Sequence, residues 1–189
     1  MSRIYLYDTT LRDGAQTEGV SFSVGDKVDI LERLDAFGMD FVEGGWPGSN
    51  PRDDEFFREA GKARLETSRL VAFGSTARHG AAAEEDQNLK ALVACCAEWC
   101  CIFGKAWDFH VTDALGIGLD DNIRLIEDSV AFLRRSGKRV IFDAEHFFDG
   151  MASDRAYALE ACRAAERAGA EWIVLCDTNG GSLPTCVRD

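Results

Sequence analysis

The sequence predicts an α/β fold, an incomplete (β/α)8 TIM barrel in which about six βα units are present. Short apolar runs alternate with amphipathic stretches along the whole 189-residue chain. Successive runs lie about 30 to 40 residues apart, which is typical of βα units. The runs are apolar almost throughout, as expected of parallel strands that are covered on both faces.

The apolar runs give the predicted strands. They occupy residues 4–7, 41–42, 70–73, 99–103, 140–142 and 172–176. The first helix follows the first strand, with Ser23 as its predicted N-cap, Asp26 completing a capping box, and Gly38 as its predicted C-cap.

The later helices are predicted from the same periodicity. Apolar positions recur at helical spacing before Gly137 and before Gly169, so a helix is expected to end at each of these glycines. Weaker helical patterns cover residues 52–64 and 84–95. No Pro-rich linker or change in composition marks a second domain, so residues 1–189 are expected to form one partial catalytic domain.

An open doubly wound sheet is the competing architecture. Its first strand should lead into a glycine-rich loop that binds phosphate, and the loop after residues 4–7 is not of that kind. Gly116 and Gly118 form a Gly-x-Gly pattern that follows no predicted strand. A complete barrel typically needs about 250 residues, so this chain is expected to hold six of the eight units.

Composition excludes several classes of function. The chain has 33 acidic and 21 basic residues and a formal net charge of −12, which argues against nucleic-acid binding. No stretch approaches the roughly 18 apolar residues that a membrane helix needs, and no secretory signal is recognisable. A cytoplasmic location is therefore expected.

Cysteines cluster at positions 95, 96, 100 and 101, and seven occur in total. The cluster has two interpretations, a thiolate metal site or part of the core. Its spacing is not the paired C-x-x-C of zinc ribbons, and Cys100 and Cys101 lie in an apolar run. The pattern favours buried, reduced thiols.

The run at residues 8–16 (DTTLRDGAQ) is the most informative stretch for function, because it follows the first predicted strand. The carboxyl ends of strands carry the active sites of α/β proteins. Arg12 can bind a planar carboxylate or an enolate oxygen, and Asp13 can bind a divalent cation. Gly14 allows the tight turn between them.

Polar residues also follow the other predicted strands, which predicts a site where the strand ends converge. They are Glu43; Ser75 and Thr76; Lys105, Trp107, Asp108 and His110; Asp143, Glu145 and His146; and Asp177, Thr178 and Asn179. Structural interpretations stay open for several of them. Asp8 and Asp177 suit turns, and His110 and His146 suit hydrogen-bonded structural positions as well as metal ligation. Glu43 and Glu145 favour function, because a carboxylate at the end of an apolar strand is costly unless paired.

At these residues the chain resembles a family of acyl-CoA-condensing and acyl-CoA-cleaving metal enzymes. The family includes 2-isopropylmalate synthase, homocitrate synthase, citramalate synthase and hydroxymethylglutaryl-CoA lyase. Residues 8–16 resemble its opening signature. Residues 43–51 (EGGWPGSNP), 142–150 (FDAEHFFDG) and 175–181 (LCDTNGG) are similar to the citramalate synthase branch in particular.

The resemblance implies an acyltransferase of isoleucine biosynthesis that condenses acetyl-CoA with an α-keto acid, pyruvate in this branch, giving citramalate and CoA. It implies a divalent metal (Mg2+, Mn2+ or Zn2+) bound by Asp13, and catalytic roles for Arg12 and Glu145. Thr178 would bind the carboxylate of the keto acid, and Gln16 and Glu43 would be further substrate-binding residues. A full-length protein of this kind is expected to be a homo-oligomer.

The chain departs from the family pattern in one respect. The family completes its metal site with a His-x-His pair on the seventh strand, and no His-x-His occurs in these 189 residues. The last barrel units and a regulatory domain are expected to be absent, and an inactive fragment is expected. The alternatives are a 2-isopropylmalate or homocitrate type of synthase, an acyl-CoA lyase, and a non-catalytic barrel fragment.

Overall fold

A computed structural model gives the structure of the chain and describes residues 3–188. Six parallel strands form one sheet, and their order in the sheet is their order along the chain. The strands are β1 (Tyr7–Asp8), β2 (Phe41–Gly45), β3 (Arg69–Ser75), β4 (Trp99–Lys105), β5 (Arg139–Glu145) and β6 (Trp172–Leu175). A doubly wound sheet would reverse its strand order, so the incomplete barrel is confirmed.

Helices connect and follow the strands. They are α1 (Val24–Phe37), α2 (Pro51–Ala60), α3 (Gln87–Ala94), α4 (Leu119–Arg135), α5 (Phe147–Ser153), α6 (Arg155–Arg167) and α7 (Pro184–Arg188). A 3-10 turn at Gly14–Gln16 follows β1, and a π-helical turn at His110–Leu115 precedes α4. Among the residues described, no helix is both long enough and apolar enough to cross a bilayer.

The predicted caps of α1 are confirmed. The hydroxyl oxygen of Ser23 accepts a hydrogen bond from the backbone N–H of Asp26 at 3.1 Å, and the Asp26 carboxylate accepts one from the Ser23 N–H at 2.8 Å. Gly38 ends the helix with φ of 94°, a left-handed conformation that glycine adopts without strain. The apolar face of the helix between these caps packs into the core, where Leu31 is fully buried.

Alternation along the strands divides the core into two layers. Val42, Ala72 and Phe142 belong to the larger cluster, which the sheet forms with the helices. A second cluster lies on the other face of the sheet, called the inner face here, and contains Phe41, Val71, Phe73, Trp99, Cys101 and Ile141. The inner face corresponds to the packed interior of a barrel.

The sheet is strongly curled. Tyr5, which precedes β1, makes an edge-on contact with Trp172 of β6 at 5.1 Å between ring centroids. Phe41 and Trp99 meet edge-on at 5.0 Å in the same region, at the amino ends of the strands. The inner face is thus filled by aromatic rings at this end.

Several expectations need correction. Residues 4–6 were predicted as strand, but β1 starts at Tyr7, and the Asp40 carboxylate accepts the backbone N–H of Leu6 in place of a strand partner. The sequence pattern did not predict α5 or the π-helical turn. Cys100 and Cys101 are buried as predicted, whereas Cys96 is exposed.

Candidate active site

The carboxyl ends of the strands bring together most of the residues that the sequence singled out. Arg12 and Asp13 lie in the turn after β1, and Glu43 lies within β2. Glu145 ends β5, and Thr178 follows β6. They form two clusters on the inner side of the sheet, one around Arg12 and one around Glu145.

Arg12 is held from two sides. Its Nε donates to Glu43 Oε1 at 2.5 Å, and its guanidinium lies over the ring of Phe73 at 3.9 Å from the centroid. The Tyr7 hydroxyl donates to the other Glu43 oxygen at 2.6 Å. Arg12 Nη1 also donates to Asp13 Oδ1 at 3.1 Å. The guanidinium is therefore held in a fixed orientation in the turn after β1.

The electrostatics of this cluster follow from burial. The Glu43 side chain is 1% exposed and that of Arg12 is 18% exposed. Burial raises the pKa of Glu43, although the Arg12 charge and the Tyr7 hydrogen bond oppose the shift. Burial alone would lower the pKa of Arg12, and the Glu43 carboxylate outweighs it, so the pKa is raised. Arg12 is a permanent cation at the strand ends.

Gln16 is exposed and lies beside Arg12 on the wall of a cavity of about 470 Å³. The lining also includes Trp46 and the ion pair of Lys27 Nζ with Asp53 Oδ1, which lie 2.6 Å apart. Lys27 Nζ is thus neutralised, and Arg12 is one of the cations that border this cavity.

The second cluster surrounds Glu145. Lys105 of β4 and Glu145 of β5 are register partners in adjacent strands and form an ion pair. His146 has a left-handed backbone with φ of 55°, and its N–H donates to the Thr178 hydroxyl at 2.9 Å. This bond ties the end of β5 to the loop after β6. The Thr178 hydroxyl accepts this one hydrogen bond, and its own O–H donates a hydrogen bond to no described residue.

Aromatic rings cover the Glu145 cluster. His110 and His146 meet edge-on at 4.4 Å between centroids, and Trp107 packs on His110 at 4.6 Å. His146 Nδ1 contacts Asp149 Oδ2 at 2.9 Å. Burial, followed by the His146 and Lys105 charges, lowers the pKa of His110, so its ring is neutral at physiological pH.

Asp143 lies between the two clusters, on the inner face of β5. Its Oδ1 accepts a hydrogen bond from the Cys176 thiol at 2.8 Å. Burial, opposed by that hydrogen bond and supported by the charges of Glu43 and Glu145, raises the pKa of Asp143 to about 6. The site therefore contains a carboxyl group that titrates close to neutral pH.

Other sequence interpretations can be resolved. Asp8 accepts two hydrogen bonds from Thr10, and Asp177 accepts two from Ser182, so both stabilise turns. His79 is an exposed turn residue. Tyr7 was missed, because only its hydrogen bond to Glu43 of the adjacent strand gives it a role. The apolar pattern of β1 carried no such signal.

A divalent cation usually needs several protein ligands. Among residues 3–188, no group of three or more His, Cys, Asp or Glu side chains is close enough to hold one. The Asp13 side chain is 63% exposed and its described partner is Arg12. The described residues thus offer one candidate ligand and do not form a complete metal site by themselves.

Comparison with known proteins places the chain. A family model described as HMGL-like matches residues 3–189. The chain belongs to the HMGL-like family. Solved structures have the same fold. The HMG-CoA lyase of Bacillus subtilis superposes with a TM-score of 0.74 at 16% sequence identity, and the match covers 98% of this chain and 61% of the lyase chain. The hydroxymethylglutaryl-CoA lyase of Pseudomonas aeruginosa gives 0.75 at 19% identity, with 98% and 61% covered.

Curated relatives within the family are closer in sequence. The chain is 52% identical to the (R)-citramalate synthase of Aquifex aeolicus over 182 residues, which is 96% of this chain and 34% of that protein. It is 51% identical to the (R)-citramalate synthase of Synechocystis over 181 residues, which is 96% of this chain and 33% of that protein. The 2-isopropylmalate synthase of Listeria monocytogenes is 34% identical over 185 residues, which is 98% of this chain and 35% of that protein. The chain spans about a third of the length of these relatives.

Proposed function

We propose that this HMGL-like chain carries the keto-acid half of an acyltransferase site that condenses acetyl-CoA with pyruvate, after which water hydrolyses the thioester to give citramalate and CoA. One observation carries the proposal: Glu43 and Phe73 hold the Arg12 guanidinium in a fixed position beside the strand ends. The sequence identity of about 50% to (R)-citramalate synthases supports acetyl-CoA and pyruvate as the substrates.

Each residue has a proposed role in that reaction. Arg12 stabilises the negative charge that develops on the keto oxygen, where one well-placed donor is typically worth a few kcal/mol. The Thr178 hydroxyl, which already accepts a hydrogen bond from the His146 N–H, donates a hydrogen bond to the keto-acid carboxylate. Glu145, oriented by Lys105, positions the reacting groups. Gln16 contacts substrate from the wall of the neighbouring cavity.

Glu43 acts through Arg12 in this proposal. Both of its oxygens are occupied, one by Arg12 and one by Tyr7, and its side chain is 1% exposed. Asp13 is proposed as a ligand for a divalent cation, which would polarise the ketone. A cation there needs ligands beyond the described set.

Aromatic packing beside Arg12 favours a small keto acid. Phe73 and Phe103 stack at 5.6 Å between centroids, and Trp46 meets both rings edge-on at 5.7 and 5.8 Å. These rings occupy the inner face next to the guanidinium, where the side chain of a longer keto acid would lie. Pyruvate, whose side chain is a methyl group, suits the remaining space.

Release of CoA from acetyl-CoA tests the proposal. The full-length polypeptide in which the chain occurs is assayed with pyruvate, 2-oxoisovalerate and 2-oxoglutarate, and the product is identified by mass spectrometry. We expect CoA release with pyruvate and formation of citramalate. Preference for either longer keto acid would instead identify a 2-isopropylmalate or homocitrate type of synthase, and no release with any of them would contradict an acyltransferase function.

A further inference from the structure

Asp143 differs from the other two carboxylates that project from the strands on the inner face. Glu43 is paired with Arg12, and Glu145 is paired with Lys105. Asp143 forms no ion pair within residues 3–188, although the charge of Arg12 acts on it from beyond contact distance. It is only partly buried, so it can meet a ligand at the strand ends.

The donor to Asp143 is a thiol. Burial raises the pKa of Cys176, so the thiol stays protonated and donates to the carboxylate. A thiol is a weak donor and leaves most of the basicity of the carboxylate intact. The groups that face Asp143 from the neighbouring elements are Arg12 after β1, Glu43 in β2, Cys101 in β4, Glu145 in β5 and Cys176 after β6.

This environment makes Asp143 a stronger base than an ordinary carboxylate. Burial and two neighbouring negative charges favour its protonated form, and the partial exposure still allows it to ionise at neutral pH. A general base works best when its pKa lies near the working pH. The paired carboxylates are poorer candidates, because a cation holds the charge of each.

We propose that Asp143 is the base that removes a proton from the methyl group of acetyl-CoA, an assignment that rests on the proposed function. The Asp143 carboxylate takes the proton as the methyl C–H bond breaks, and the electron pair of that bond forms the enolate of the thioester. The enolate carbon then attacks the keto carbon, whose carbonyl electron pair becomes an alkoxide. Asp143 returns the proton to this alkoxide and is a carboxylate again.

Cys176 is a positioning residue in this scheme. Its thiol holds one Asp143 oxygen, so the other oxygen faces the open side of the strand ends. Removing the thiol would remove a hydrogen bond that favours the ionised carboxylate. Its loss should therefore make Asp143 harder to ionise.

Exchange of solvent deuterium into the acetyl methyl group tests the base directly. The full-length polypeptide is incubated in D2O with acetyl-CoA and oxamate, a pyruvate analogue that cannot condense, and proton NMR follows the methyl signal. We expect Asp143→Asn to slow the exchange at least about a hundredfold. Asp128→Asn, which changes an exposed carboxylate of α4, should exchange at the wild-type rate.

The pH dependence of condensation with pyruvate gives a second readout. The wild-type rate should fall as the pH drops below about 6, where Asp143 becomes protonated. Cys176→Ala should move this acidic limb to higher pH, and Cys176→Ser, which restores a donor, should return it towards the wild-type position. An acidic limb that is identical in all three proteins would contradict the assignment.

The outcomes separate the two proposals. A wild-type polypeptide that neither exchanges nor condenses would overturn the acyltransferase function and the base assignment with it. Wild-type condensation together with unimpaired exchange and condensation in Asp143→Asn would overturn the base assignment alone. Asp143→Glu, which keeps a carboxylate, should retain more exchange than Asp143→Asn, and circular dichroism checks that each variant folds.

Discussion

Arg12 owes its orientation to neighbours on different strands. Glu43 of β2 binds its Nε, and Phe73 of β3 lies under its guanidinium plane. Asp13 binds the same guanidinium from the solvent side, with a side chain that is 63% exposed. The two carboxylates thus make the same kind of contact in different environments, and their contributions to stability should differ.

The first prediction compares these two carboxylates. Glu43→Ala should lower the free energy of unfolding by about 3 kcal/mol, because it leaves Arg12 buried without its partner. Asp13→Ala, the matched control, should change it by less than about 1 kcal/mol, because exposed ion pairs contribute little. Urea unfolding measures both. Equal losses would show that the burial of Glu43 does not decide the strength of the pair.

The second prediction concerns the aromatic rings beside Arg12. Phe103→Ala should raise the kcat/KM for 2-oxoisovalerate relative to pyruvate by at least about tenfold, because it opens space where a longer side chain would lie. Phe37→Ala changes a ring that is 76% exposed at the end of α1, and it should leave the ratio unchanged. A ratio that stays constant in Phe103→Ala would place the keto-acid side chain elsewhere.

The third prediction concerns stability against pH. The folded chain raises the pKa of Asp143 to about 6, so it binds more protons than the unfolded chain between about pH 4 and pH 6. Stability from this group is therefore present at low pH and is lost as the pH rises through about 6. The side chain of Asp143→Asn cannot ionise. As the pH rises from 4 to 7.5, the free energy of unfolding of the variant minus that of wild type should therefore increase by about 2 kcal/mol.

Urea unfolding of both proteins at the two pH values measures this difference. The carboxylate is partly exposed, and solvent screening is already included in the expected size. A stability difference that is the same at both pH values would mean that Asp143 titrates alike in the folded and unfolded chains.

At the scale of elements, local chemistry separates what the sequence predicts from what it does not. The capping box of Ser23 and Asp26 was predictable because both partners lie within one turn. α5 was not, because it begins after His146, whose left-handed φ is imposed by packing and by its bond to Thr178. Only a few per cent of non-glycine residues adopt that conformation, and although histidine is enriched among them, the sequence signal is weak.

The fourth prediction concerns the packing of α5. A Cβ on Gly150 would collide with the carbonyl oxygen of Ala106, which follows β4, and a backbone atom cannot move away as a flexible side chain can. Gly150→Ala should therefore lower the free energy of unfolding by about 2 to 3 kcal/mol. Gly181→Ala is the control, because nothing lies within 4 Å of its Cβ position, and it should change stability by less than about 0.5 kcal/mol.

Thermal unfolding of the two variants side by side measures the difference. Equal melting temperatures would mean that α5 can shift away from the end of β4 without loss. A shift of that kind would also displace His146 and the hydrogen bond that it donates to Thr178.

At the scale of the whole molecule, strand spacing predicted the parallel sheet and its order, because each βα unit is a local pattern. The pairing of side chains across strands was not predictable in the same way. Lys105 and Glu145 were each identified as strand-end residues, but their ion pair depends on the register of β4 with β5. The same holds for Tyr7 with Glu43 and for Cys176 with Asp143.

The fifth prediction concerns the two edges of the sheet. β1 and β6 each have one strand neighbour among the residues described, and Leu6 and Leu175 beside these edges are 49% and 48% exposed. The 189-residue chain studied by itself should therefore self-associate, because exposed edges pair with other chains. Sedimentation velocity over a range of concentrations measures this.

A charged side chain at one edge tests whether pairing of the edge strands causes the self-association. Leu175→Lys should reduce the association, since lysine on an edge strand opposes pairing. Leu183→Lys changes a residue that is 66% exposed and outside the strands, and it should have no such effect. A wild-type chain that sediments as a monomer at every concentration would contradict the prediction.

The edge-on contact between Tyr5 and Trp172 has a kinetic consequence. These rings come from opposite ends of the sequence, so the contact cannot form until nearly all of the chain is available. Closing so long a loop is slow compared with forming any single βα unit. The curl of the sheet should therefore be among the last features to appear during folding, and Trp172 is placed to report its completion by fluorescence.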